Sequence, residues 1–189
     1  MRVIPFTLIF LSLTACSAAQ TISKCGDWPI PEPPASSPLQ QSFSSAQGGF
    51  RIGLPPREAD KPESYDGPVG HIETTRFKWF VLNRGQYEIS YSDYDKILEN
   101  QTDSKKILDN LRDLLLSKVP GHLEVDSVLT INGHPGREIR IRDDKGIDIQ
   151  RFYLVGQRMY EVSAFVPITL ECGLDSVIKV LDSFALLER

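Results

Sequence analysis

The sequence predicts an α+β domain in which an antiparallel sheet of about seven strands is packed against two helices. Three observations predict it. From Leu123 to Val166, apolar residues recur with a period of two in successive runs joined by short turns. Shorter runs of the same kind lie between Phe50 and Tyr91. Two stretches, one from residue 104 to 119 and one from 174 to 184, carry apolar residues at helical spacing instead.

Taken in order, Gly48-Gly49 precede a short strand, Phe50 to Leu54, which Pro55-Pro56 end. Residues 57–68 read as a polar loop. Val69 to Leu82 is a long strand with Phe77, Trp79 and Val81 on one face and Arg76, Lys78 and Phe80 on the other. Asn83-Arg84-Gly85 turns the chain into Gln86 to Tyr91, where Tyr87, Ile89 and Tyr91 share a face. The first helix follows. Ile107, Leu108, Leu111, Leu114, Leu115 and Val119 form its stripe, Thr102, Asp103 or Ser104 caps it, and Pro120-Gly121 stops it. Asp93, Asp95, Glu99, Asp103 and Asp109 suit its amino end, where the helix dipole favours negative charge.

In the long stretch, Leu123 to Ile131 alternates. Asn132-Gly133 then signals a tight turn, which His134-Pro135-Gly136 extend into a loop. Ile139 and Ile141 alternate with Glu138, Arg140 and Arg142, which predicts a strand with one wet face. Asp143 to Gly146 is a turn. Ile147 to Val155 is apolar on both sides and reads as a central strand. Gly156-Gln157 lead to Arg158 to Val166, with Tyr160, Val162, Ala164 and Val166 on one face. Connections this short make antiparallel neighbours, since parallel strands need a long crossover. Gly173 and Asp175 open the last helix, whose stripe is Leu174, Val177, Ile178, Leu181 and Phe184.

The amino terminus is of another kind. Met1-Arg2 lead into an apolar run from Val3 to Leu13, too short to span a bilayer but the size of a signal-peptide core. Leu13-Thr14-Ala15-Cys16 resembles the lipobox of bacterial lipoproteins. That resemblance implies removal of residues 1–15 and acylation of Cys16; the alternative is ordinary cleavage near Ala18-Ala19 with Cys16 discarded. More than one acyl chain gives stable anchoring, at about 0.8 kcal/mol per buried methylene. Ser17 after the cysteine implies the outer membrane by the rule of enteric bacteria. Residues 16–47 read as a tether rich in Pro, Ser, Ala and Gln, semi-rigid over Trp28 to Pro34 and flexible from Ala35 to Gln47. Residues 48–189 form the domain. With Cys16 consumed, Cys25 and Cys172 remain, and an oxidising envelope compartment favours their pairing; the alternative is two unpaired thiols.

The order strands, helix, strands, helix, together with Gly49-Phe50-Arg51-Ile52-Gly53-Leu54-Pro55 and Leu181-Asp182-Ser183-Phe184, resembles the PsbP-like group of α/β/α sandwich domains, DcrB-like lipoproteins included. Residues Asn132 to Glu138 and Tyr153 to Tyr160 look like an uncharacterised lipoprotein subgroup of it. The resemblance implies a fold for residues 48 to 187 and transfers no catalytic residue or cofactor.

Chemistry is sparse. A net charge of −4 and the absence of a long basic run argue against nucleic acid as partner. His71, His122 and His134 lack metal spacing; the one cluster to consider is His122 with Glu124 and Asp126. No nucleophile elbow, phosphate loop or dinucleotide fingerprint occurs. Phe77, Trp79, Phe80, Tyr87, Tyr91, Tyr153 and Tyr160 read as packing residues. The expectation is a non-catalytic, lipid-anchored accessory or adaptor protein of the cell envelope. It faces the periplasm, has no cofactor or metal, and works with an unnamed envelope protein. The other expectation is a carrier or sensor of an apolar small molecule, which calls for an apolar pocket between sheet and helix.

Overall fold

The computed structural model describes residues 42–67, 70–81, 85–94 and 104–188. The expected signal peptide, Cys16, Cys25, most of the tether, and Asp95, Glu99 and Asp103 of the acidic run lie outside them. The strands are β1 (Phe43–Ser45), β2 (Phe50–Ile52), β3 (Glu63–Gly67), β4 (Gly70–Val81), β5 (Gly85–Tyr94), β6 (His122–Ile131), β7 (His134–Arg142), β8 (Gly146–Val155), β9 (Arg158–Pro167) and β10 (Ala185–Leu186). The helices are α1 (Ser104–Lys118) and α2 (Leu174–Asp182), with a 3-10 helix, Ile168–Gly173, leading into α2.

A seven-stranded sheet has the order β3-β4-β5-β9-β8-β7-β6, and a three-stranded sheet the order β1-β2-β10. All pairs are antiparallel. The large sheet is thus two meanders, β3-β4-β5 and β6-β7-β8-β9, joined where β5 meets β9. The chain passes from β5 to the far edge strand β6 by way of α1, and a connection that long is what crossing the sheet requires.

Alternation in β4, β5, β8 and β9 assigns the two faces as expected. One carries Phe77, Trp79, Tyr87, Ile89, Tyr91, Ile147, Ile149, Tyr153, Tyr160, Val162, Ala164 and Val166 into a core completed by Phe50 and Ile52 of the small sheet and by Val177, Val180, Leu181 and Phe184 at α2. Full burial of one such side chain contributes about 1.5–3 kcal/mol. Rings fill this space. Phe43 lies 5.2 Å from Phe77 and 5.6 Å from Trp79, and Tyr153 stacks on Phe184 at 5.7 Å. On the opposite face a smaller core joins Leu108 of α1 to Ile139, Ile141, Phe152 and Leu154.

Several expectations need correction. β1 pairs with β2 and plants Phe43 in the core, so the folded domain includes residues before the Gly48 boundary, within the stretch expected to be flexible. The loop expected at 57–68 holds β3, a polar strand whose apolar pattern is too weak to announce it. The turn after β6 is only Asn132 (φ 48°) and Gly133 (φ 80°), and His134 already pairs with Ile131. The face of β7 expected to be wet is only partly so: Glu138 is 4% exposed because it is ion-paired rather than solvated, while Arg140 and Arg142 are half-buried, and α1 lies on the other side. Phe80 is 74% exposed and Leu114 50%, so neither is a packing residue.

Candidate functional site

Two places on the domain combine accessible surface with polar chemistry. The first is a half-open cleft of about 380 Å³ at one end of the large sheet. Three turns meet there. Gly49 (φ 69°) comes from the β1–β2 turn, Asn132 from β6–β7 and Gly156 (φ 61°) from β8–β9. Their left-handed backbones explain why Gly and Asn stand at these positions. His134, Val155, Arg158, Tyr160, Leu186 and Leu187 complete the lining. Three of the four sequence segments on which the PsbP-like resemblance rests therefore contribute to one cleft.

Arg158 dominates its chemistry but is already engaged. Nε and Nη2 each donate to a different Asp93 carboxylate oxygen at 2.6 Å. Nη1 donates to the carbonyls of Gln47 at 3.0 Å and Gly48 at 2.9 Å. The guanidinium also sits 4.4 Å over the Tyr91 ring. Its pKa is pushed further up, chiefly by the Asp93 hydrogen bonds. Tyr160 Oη donates to the Gly48 carbonyl at 2.7 Å. Both residues act as clasps that hold the β1–β2 turn against the sheet.

The second place is the half of the sheet face that carries the even residues of β4 and β5 and the odd residues of β9. α1 packs on β7, towards the other end of the sheet. Register aligns Lys78 with Glu88 and Ser163, Arg76 with Ser90 and Glu161, and Phe80 with Gln86 and Phe165. Arg76 Nε lies 2.9 Å from Glu88 Oε1, near enough for ion pairing but off the line of a hydrogen bond. Lys78 Nζ is 3.8 Å from Glu88. The Glu161 carboxyl is pushed up, first by burial and then by the Glu88 charge, and that of Asp148 is pushed up by burial. Phe80 and Phe165 (36% exposed) form an apolar end to this polar field.

The remaining predicted residues are scattered. His71 Nδ1 is 2.8 Å from Asp66 on the exposed rim. His122 lies 3.8 Å from Glu124, but Arg142 donates to Glu124 and Arg137 holds Asp126 at 2.6 and 2.7 Å, so the His122, Glu124, Asp126 cluster is dissolved into separate ion pairs. Among the described residues no group of three or more His, Cys, Asp or Glu is arranged to hold a metal. Cys172 is exposed in the 3-10 helix. Asp143, in the turn expected there, accepts from the backbone N–H groups of Lys145 and Gly146 and closes the β7–β8 hairpin. Asp93, expected at the amino end of the first helix, lies in β5 and holds Arg158 instead. Arg158 and Glu161 were not anticipated; each looks in the sequence like one more charged residue on an alternating strand.

No protein-family model and no curated protein matches the chain. Solved structures similar to it include the following two. One is the crystal structure of PA94 of Pseudomonas aeruginosa, a protein of unknown function described as a candidate regulator. It has 11% identity and a TM-score of 0.44 and covers 69% of this chain and 99% of that one. The other is the solution structure of CyanoP, the cyanobacterial PsbP of Synechocystis, with 10% identity and a TM-score of 0.46, covering 77% of this chain and 91% of that one. At these scores the likenesses assign no family, site or activity to this chain.

Proposed function

We propose that this protein is a lipid-anchored accessory or adaptor of the cell envelope, whose domain recognises another protein and catalyses nothing. The observation that carries the reading is where the domain's charged groups go. Arg137, Arg142, Arg151 and Arg158 are tied to carboxylates that join one element to another, while Phe80 stands 74% exposed beside a polar sheet face. Exposed apolar side chains rimmed by polar ones fit a contact surface. The apolar run ending in Leu13-Thr14-Ala15-Cys16 supplies the anchor in this reading, and residues 17–41 supply the spacer. No helix among the described residues is long and apolar enough to cross a membrane. The disulfide between Cys25 and Cys172 belongs to the same reading, in which an oxidising envelope compartment pairs the two thiols.

Labelled palmitate should enter the wild-type protein and not Cys16→Ala, and the wild type should fractionate with membranes. An unlabelled wild type found in the cytosol with its first residues intact overturns the anchor. Crosslinking in cells should return the same envelope protein from wild type and much less of it from Phe80→Glu.

A second reading, a small-molecule carrier, draws on one observation, the cleft of about 380 Å³, which falls within the range of small-ligand sites. Its apolar part is Val155, Leu186 and Leu187. Titration with a long-chain fatty acid should then protect the β6–β7 and β8–β9 turns from hydrogen exchange, and unchanged exchange there removes this reading.

A further inference from the structure

β6 ends the large sheet, and among the described residues no strand pairs with its outer edge. It runs for ten residues, none of them buried, and Val128 is 78% exposed. Register slips between Leu123 and Val125, after which pairing to β7 is regular through Ile131. This regular run, Val-Asp-Ser-Val-Leu-Thr-Ile, contains no lysine, arginine or proline. Those are the residues with which natural sheets usually blunt an edge. Its one charge, Asp126, is held by Arg137 Nε and Nη2.

We propose that β6 is a self-association edge, on which a second copy of this chain lays its own β6 antiparallel about a two-fold axis at Val128. The sequence of the edge is self-complementary about that point. Val128 meets Val128, Asp126 meets Thr130, Val125 meets Ile131, and Ser127 meets Leu129. No carboxylate faces a carboxylate, and apolar residues face apolar ones at the centre and at the ends, which is how cross-strand pairs stabilise a sheet. Centring the axis on Asp126 instead would oppose two carboxylates at the middle. The bulge beside Glu124 then marks where pairing stops. Two-fold, isologous contact is also the commonest way for identical chains to associate. The two large sheets become one continuous sheet, with α1 of each copy on the same face. A lipid anchor of the kind proposed above would concentrate the partners on one surface, but the edge pairing does not depend on it.

Full-length protein in detergent, oxidised with copper phenanthroline, tests the register. Val128→Cys should give a covalent dimer, each copy losing one thiol proton and one electron to the oxidant. Thr130→Cys and Ser64→Cys on β3 should give far less, as should wild type with its own cysteines. Equal dimer from all of them, or none from Val128→Cys, overturns the proposal. Sedimentation supplies the second measurement. Wild type should show a concentration-dependent dimer, weakened at least about tenfold in Val128→Lys, which is about 1.4 kcal/mol, with an unchanged thermal midpoint at dilutions where both are monomeric, because the side chain is exposed in the single chain. A wild type that remains monomeric, or a Val128→Lys that dimerises equally well, also overturns it.

Discussion

At one edge of the large sheet, β3 runs for five residues between Pro62 and Pro68, carries Glu63 and Asp66, and is held by pairs that water reaches: His71–Asp66 at 2.8 Å and Arg76–Glu63 at 3.3 Å. At the other edge, β6 runs for ten residues and is backed by ion pairs sunk between layers. Arg137, its side chain 10% exposed, takes Asp126 of β6 and Asp109 of α1 together. Behind β7, Arg151 reaches Glu138 at 2.6 Å and Asp182 of α2 at 2.8 Å. The first edge is protected by its sequence and loosely held. The second is rigidly held and left bare. The difference teaches that arginines in an alternating strand need not face water: in β7 and β8 they connect layers.

That contrast can be broken at its strong end first. Arg151→Met should cost about 3–5 kcal/mol, because it strands Glu138 in a buried site, less whatever Arg140 restores. The double variant Glu138→Leu/Arg151→Met should recover most of the loss, since removing both charges removes the desolvation penalty as well. Urea unfolding decides, and a single variant as stable as wild type would erase the distinction between the edges.

Next comes Arg137→Leu, expected to cost about 1–2 kcal/mol at neutral pH after allowing for solvent at the carboxylates. Arg137 holds the Asp126 carboxyl below its usual range, mainly by hydrogen bonding. A depressed folded pKa means the stabilisation is present above the ordinary carboxylate range and lost as pH falls through the folded value. The gap between wild type and variant should therefore close in acid; a gap that stays constant down to about pH 3 would contradict the assignment.

Glu161→Gln should act in the opposite sense. Its carboxyl is raised by burial and by Glu88, so the folded protein prefers the protonated form. The penalty applies above the raised value and vanishes below the ordinary range near about pH 4.3. The variant should gain up to about 1 kcal/mol at neutral pH and nothing in acid. Smallest of all, Glu63→Ala at the β3 edge should change stability by no more than about 0.5 kcal/mol, which denaturant melts can bound.

Much of this fold was legible because each apolar run had a clear period. The faces of β4, β5, β8 and β9 and the meander from β6 to β9 follow from alternation, and both helix stripes, Leu114 apart, from helical spacing. β3 and β10 were not legible: β3 is polar throughout its described side chains, and β10 has two residues whose only signal is pairing to β2. The charged network was misread for a related reason. A sequence shows that Glu138 and Arg151 sit on alternating strands; it does not show that register sets them opposite one another beneath α2. The cleft was half legible. Asn132-Gly133 and Gly156 mark turns, but that these turns share one end of the sheet with Gly49 is a matter of topology.

The small sheet has a mechanical consequence. β1 and β10 flank β2, so the chain enters and leaves the domain through the same three strands. Tension along the amino-terminal segment loads β1 first, and β1 pairs with β2 alone. Resistance then comes from Phe43 wedged among Phe50, Phe77 and Trp79, and from the grip of Arg158 on the carbonyls of Gln47 and Gly48. These few contacts form a fuse: they part first and leave the pairing of the seven strands behind them intact.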